Sequence, residues 1–139
     1  HYYQLEIEKI EGLKILDIYT VQGSPRLIGN IILDSDYIGT TVVGFENHGG
    51  RTFINSHKPL GKVLYGYGND GESGYEGVVY KNVVATYLHG PLLPKNPVLA
   101  DKIIENAVTK KDASFVLSDI DSALENTAHD YIIKRFLKK

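Results

Sequence analysis

The 139-residue sequence predicts an α/β fold, β-rich over its first two thirds and closed by two helices. Three observations carry that reading. Short runs rich in Val, Ile, Thr and Tyr are separated by clusters of Gly, Pro, Asp and Asn. The apolar spacing turns helical only after His89. There Asn96 and Pro97 supply a helix start, and apolar residues follow at intervals of three and four. The spacing of the strand-like runs suggests consecutive antiparallel strands rather than βαβ units.

Taken in order, Leu5, Ile7 and Ile10 alternate imperfectly with Glu6, Glu8 and Lys9, as an edge segment does, and Gly12 ends it. Leu13, Ile15, Ile18 and Tyr19 form the next expected strand, and Val21-Gln22-Gly23-Ser24-Pro25 reads as a turn. Arg26 to Leu33 is a further strand, closed by Asp34-Ser35-Asp36, and Thr40-Thr41-Val42-Val43 follows Gly39. On its residues alone, Gly44-Phe45-Glu46-Asn47-His48-Gly49-Gly50-Arg51-Thr52 is a polar hairpin loop. Its adjacent glycines suit a backbone that comes close to a ligand or needs positive φ. Gly66-Tyr67-Gly68-Asn69-Asp70-Gly71 spells a dinucleotide fingerprint but leads into more glycines instead of a helix, so it reads as a turn. That turn is expected between Val63-Leu64-Tyr65 and Val78-Val79-Tyr80.

Val83, Val84, Thr86 and Tyr87 then make a strand that delivers His89 to its carboxyl end, where open α/β sheets place their ligands. Pro91, Pro94 and Pro97 prevent any continuation as a central strand. In the first helix Ala100, Ile103, Ile104, Ala107 and Val108 form an apolar stripe, with Lys110 and Lys111 at its end. A second helix is expected from Ser118 or Asp119. It buries Ile120, Leu124, Ala128, Tyr131, Ile132 and Phe136 and ends in Lys134, Arg135, Lys138 and Lys139. His129 lies off any motif and reads as surface.

Composition narrows the function classes. Apolar residues make up 42% and charged residues 23%, as in ordinary globular domains. A net charge of −2 gives no electrostatic reason to expect nucleic acid or an anionic membrane. No apolar run approaches the roughly 18 residues of a membrane span and no signal peptide opens the chain, so the cytoplasm is the expected location. The sequence has no cysteine, hence no disulfide, thiolate metal site or cysteine nucleophile of its own. It also has no methionine, so His1 is not a natural translation start.

Thr86-Tyr87-Leu88-His89-Gly90-Pro91-Leu92-Leu93-Pro94-Lys95-Asn96-Pro97 resembles the histidine motif of the CobB/CobQ-like class I glutamine amidotransferases. Further segments fit that family in the same order: Gly12 to Thr20, Arg26 to Asn30, and Gly44 to Thr52. Pro59 to Asn82 adds Leu64-Tyr65-Gly66-Tyr67-Gly68-Asn69 and Glu76-Gly77. The resemblance spans Gly12 to about Ala100. It implies the C-terminal portion of a flavodoxin-like glutamine amidotransferase domain, whose other half ends in a cysteine elbow of the Cys-x-Gly-Tyr-Gln type. Residues 1–139 are therefore expected to be a single domain truncated at its N-terminus.

The resemblance also implies a chemistry. A thiolate attacks the carboxamide of glutamine, and His89 holds the thiolate, protonates the departing ammonia and activates water for the thioester. In the bland alternative His89 merely caps a strand end. Arg26 is read as a surface cation from its residues. In matching family members the corresponding arginine binds the α-carboxylate of glutamine. Many class I members carry a Glu two residues after the histidine. Pro91 stands there, so the group orienting His89 is open, with Glu46 a guess. No cofactor or metal is implied. The expected partner is a Mur ligase-like (MurT) subunit, in a heterodimer that amidates the D-Glu of lipid II for peptidoglycan. A cobyric acid synthase-like domain of corrinoid biosynthesis and a non-catalytic scaffold are the alternatives.

Overall fold

The computed structural model describes residues 2–5 and 8–137. The chain enters through a short antiparallel pair, β1 (Tyr2–Gln4) and β2 (Lys9–Glu11). Glu6 and Ile7 of the expected edge segment lie outside the described residues. Two long strands follow, β3 (Tyr19–Ser35) and β4 (Thr40–Phe53), antiparallel from Tyr19 opposite Phe53 to Ser35 opposite Thr40. β1 lies parallel to the start of β3, while β5 (Gly61–Tyr65) pairs with its end and with β6 (Tyr75–Glu76). β7 (Val78–Tyr80) and β8 (Val83–Ala85) form a separate hairpin, and β9 (Leu88–His89) returns to pair with β4. Two helices close the chain, α1 (Pro97–Thr109) and α2 (Ala123–Phe136). The β-rich two thirds followed by two helices are as expected.

The two faces of the β3–β4 pair are covered differently. Side chains alternate along a strand, so Leu27, Ile31, Leu33, Val42, Glu46 and His48 share one face. That face is buried under α1 and the β7–β8 hairpin: Ile31, Leu33, Val42, Leu60, Leu88 and Leu99 form its core, with Val79 and Val84 packed against them. The other face carries Ile28, Asn30, Ile32, Val43, Phe45 and Asn47. α2 covers only one end of it, where His129 bonds Thr41 at 2.8 Å and Phe136 lies against Tyr65 at 5.0 Å. Ile32 and Val43 are fully buried there, whereas Ile28 is 51% exposed and Phe45 37%. Half of this face is open.

Several expectations change. Leu13 and Ile15 do not enter a strand; they are exposed in the segment between β2 and β3. Val21 to Pro25 is a bulge inside β3 and not a turn, with the register shifting between Gln22 and Leu27. Gly44 to Thr52 is strand, not loop. A Cβ at Gly44 would meet the Leu88 side chain at 2.8 Å and one at Gly50 the Tyr87 hydroxyl at 2.6 Å. These glycines admit neighbouring side chains without breaking the ladder. The Gly66–Gly71 turn leads from β5 to Tyr75–Glu76, because Val78–Tyr80 turns away at Gly77, φ +70°, to pair with β8.

The helical third differs in detail. α2 begins at Ala123, later than expected, with Asp121 accepting the Ala123 amide ahead of it. Of its expected buried face, Leu124 and Tyr131 stay exposed, as does Ile120 ahead of the helix. Lys138 and Lys139 lie outside the described residues. On α1, Leu99 is the buried contact, whereas Ile103 and Ile104 are exposed. His129 is half-buried, held between Thr41 and the Lys95 carbonyl at 2.8 Å. No helix among the described residues is long and apolar enough to cross a membrane.

Candidate active site

His89 ends β9 opposite Phe45 of β4. Pairing places His89 on the same face as Phe45, which is the open one, and His89 is exposed there. Among the described residues its imidazole makes no hydrogen bond. Gly90 and Pro91 then turn the chain into a 3-10 turn, Leu93–Lys95, ahead of α1. His89 therefore stands exposed at a strand end, with no hydrogen-bond partner for its ring among the described residues.

Arg26 reaches the same face from the bulge in β3. Its Nε donates to Asn47 Oδ1 at 3.2 Å, and its Nη2 to Asn47 Oδ1 and to the Asn47 carbonyl, both at 3.0 Å. Nη1 carries none of these bonds. Asn47 lies two residues beyond Phe45 on β4, about 7 Å along the strand. The structure thus brings Arg26 and His89 to one open face, with Asn47 aiming the guanidinium. Asn47 was not picked from the sequence; it read as one polar residue of a loop. Only the strand register shows that it shares a face with His89.

Beneath this face lies a buried polar brace. Glu46, paired with Leu88, points the other way from His89. Its Oε1 accepts the Tyr67 amide at 2.7 Å and its Oε2 the Gly68 amide at 3.0 Å. Glu46 thus anchors the Gly66–Gly68 loop, and the guess that it orients His89 is not supported by its position. Gly66 adopts φ +107° and Gly68 φ +76° to bring those amides in. The glycine-rich loop does cradle an anion, and that anion is a side chain of the same chain.

His48 stacks flat on Tyr87, with centroids 3.7 Å apart and planes within 2°. Its Nδ1 donates to the Gly50 carbonyl at 2.9 Å, and its Nε2 lies 3.7 Å from Glu46 Oε2 with no hydrogen bond among the described residues. The Tyr87 hydroxyl meets Thr52 at 2.7 Å, and Thr52 meets Thr20 at 2.7 Å. Glu76 is fully buried nearby. Its Oε1 accepts the Tyr87 amide at 2.7 Å and the Thr86 hydroxyl, and its Oε2 accepts the Gly77 amide. Burial pushes the Glu76 carboxyl up from its ordinary value, against the pull of the Thr86, Tyr87 and Gly77 hydrogen bonds and of nearby His48.

Comparison with known proteins gives this geometry a context. Residues 2–97 match the family described as CobB/CobQ-like glutamine amidotransferase domain. Subunit GatD of lipid II isoglutaminyl synthase (glutamine-hydrolyzing) from Staphylococcus aureus (strain N315) is 47% identical over 127 residues, covering 91% of this chain and 51% of that protein. The subunit of the same name from Streptococcus pneumoniae (strain ATCC BAA-255 / R6) is 44% identical over 113 residues, 80% of this chain and 44% of that one. A probable cobyric acid synthase from Methanothermobacter thermautotrophicus is 39% identical over 90 residues, 58% of this chain and 18% of its own length. The chain spans about half the length of the two GatD subunits it matches.

Proposed function

Because this chain belongs to the CobB/CobQ-like glutamine amidotransferase family, we propose that it supplies the histidine and the glutamine-binding arginine of a glutaminase site. The observation that carries the reading is the presence of His89 and Arg26 on the same open face of the β3–β4 pair. Arg26, steadied by Asn47, holds the α-carboxylate of glutamine through its free guanidinium edge. The substrate side chain then runs along β4 toward His89. There a thiolate attacks the carboxamide carbon, and His89 protonates the leaving ammonia and then activates water against the thioester. The 139 residues contain no cysteine, so the thiolate comes from outside them.

The ammonia serves amidation of the D-Glu carboxylate in lipid II by a Mur ligase-like partner subunit. Coverage supports that branch over corrinoid biosynthesis: the likeness to GatD from Staphylococcus aureus extends over 91% of the chain, against 58% for the cobyric acid synthase. The test is His89→Ala in the full-length protein with its ligase partner. Glutamine-dependent amidation falls by about 10²–10⁴ or more, while amidation driven by added ammonium persists, since free ammonia bypasses the glutaminase. Equal loss of both routes would sink the catalytic role of His89.

A further inference from the structure

We propose that Glu76 is the positioning residue of this site, a buried carboxylate that sets His89 by holding the backbone ahead of it. The inference rests on the glutaminase reading above. His89 has no imidazole-orienting acid two residues on, because Pro91 stands there, and no side chain among the described residues bonds its ring. Its placement depends on the peptide that carries it. That peptide is tied to one carboxylate: Oε1 of Glu76 accepts the Tyr87 amide at 2.7 Å and the Thr86 hydroxyl. The Thr86 oxygen in turn accepts the Leu88 amide at 3.0 Å. The amides of both residues preceding His89 thus trace back to Glu76.

The location explains why such a clamp is needed. The chain leaves the β7–β8 hairpin after Ala85 and joins the main sheet at Leu88, so Thr86 and Tyr87 cross between two sheets. Residues in such a crossing lack ladder partners, and their amides must be met otherwise. Glu76 Oε2 meanwhile accepts the amide of Gly77, which immediately precedes that hairpin. Glu76 therefore reaches both ends of the excursion. It shares the Gly77 end with Asn69, whose Oδ1 accepts the same amide at 2.8 Å and whose Nδ2 donates to the Gly77 carbonyl at 3.1 Å. Stacked His48 and the Thr52 hydroxyl hold the Tyr87 ring from the β4 side. Burying a carboxylate opposes its charged form, and a purely apolar residue would fill the space without that cost. It would not hold the two amides.

The experiment uses the full-length protein with its ligase partner and compares Glu76→Gln, Thr86→Val and Thr86→Ser, with His89→Ala as reference. A carboxamide offers one acceptor oxygen where the carboxylate offers two, and valine keeps the shape of threonine without its hydroxyl. Displacing a reacting group by an ångström costs about 10²-fold. Glu76→Gln and Thr86→Val are expected to lower kcat for glutamine hydrolysis by up to that factor. KM for glutamine and ammonium-driven amidation stay at wild-type values, and Thr86→Ser restores kcat. Wild-type kcat in folded Thr86→Val, or no restoration by Thr86→Ser, overturns the assignment, and that pair decides alone should Glu76→Gln not fold. If His89→Ala itself hydrolyses glutamine normally, the glutaminase reading fails first, a result distinct from loss of the Glu76 role alone.

Discussion

Arg26 projects from a bulge, and its guanidinium is held from one side by both oxygens of Asn47. Arg26→Ala is expected to weaken glutamine binding by about 2 kcal/mol, roughly 30-fold, as loss of a charge-assisted hydrogen bond does. Isothermal titration with glutamine checks it, and unchanged affinity would return Arg26 to the status of a surface cation. Glu76 carries a prediction of a different kind. Its folded-state value lies above the unfolded value near 4.5 because burial disfavours the charge. Below that unfolded value the group binds a proton in both states. Between the two values the folded protein holds more protons, so its contribution to stability is lost as pH rises through the folded value. Thermal melts from pH 4.5 to neutrality should show this fall in the wild type and a flatter profile in Glu76→Gln. Parallel profiles would mean that the carboxyl titrates alike in both states. Glu76 could not be ranked from sequence: it is an acid among glycines, and its burial follows from the tertiary fold.

Asn96 shows how one side chain joins elements. The sequence marks it as a helix N-cap, and it does stand at that position ahead of Pro97, yet its side chain makes no capping bond. Its Oδ1 accepts the Val43 amide at 2.7 Å, and its Nδ2 donates to the Val43 carbonyl at 2.8 Å and to Leu92 at 2.7 Å. β9 pairs with β4 only at Phe45 and Glu46, and the Asn96 amide takes up the next peptide of that edge as a strand would. This bond set fastens the start of α1 to the sheet next to the His89 turn. Asn96→Ala leaves buried backbone groups unpaired and is expected to destabilise the protein by about 2–4 kcal/mol. A urea midpoint matching wild type would show that water replaces the amide without loss. Asn96→Asp should also be destabilising, since a carboxylate cannot donate to the two carbonyls.

Across the whole molecule the open half-face of the β3–β4 pair carries His89, Arg26 and Asn47, and no thiol is present to complete the chemistry. The 139-residue chain alone is expected to release no glutamate from glutamine, and glutamate formation by homogeneous material in a coupled assay would overturn the thiolate mechanism. The single strand expected through Val83, Val84, Thr86 and Tyr87 breaks after Ala85 and resumes at Leu88 in the main sheet. The order of β-rich and helical parts, the two helices, the strand-end position of His89 and the turn at the glycine-rich run, by contrast, were legible in the sequence. Each follows from local rules: β-branched runs, proline at a helix start, and glycine conformational freedom. Local rules misplaced the turn at Val21–Pro25 and the loop at Gly44–Thr52, because long strands tolerate bulges and glycines wherever a partner strand supplies the hydrogen bonds. Which face each polar residue meets was decided by tertiary structure alone. Glu46 and Asn47 are neighbours in sequence, yet one anchors a loop in the interior and the other aims Arg26 at the surface. A strand sends successive side chains to opposite faces, and only the packing of α1, α2 and the β7–β8 hairpin determines which face is covered.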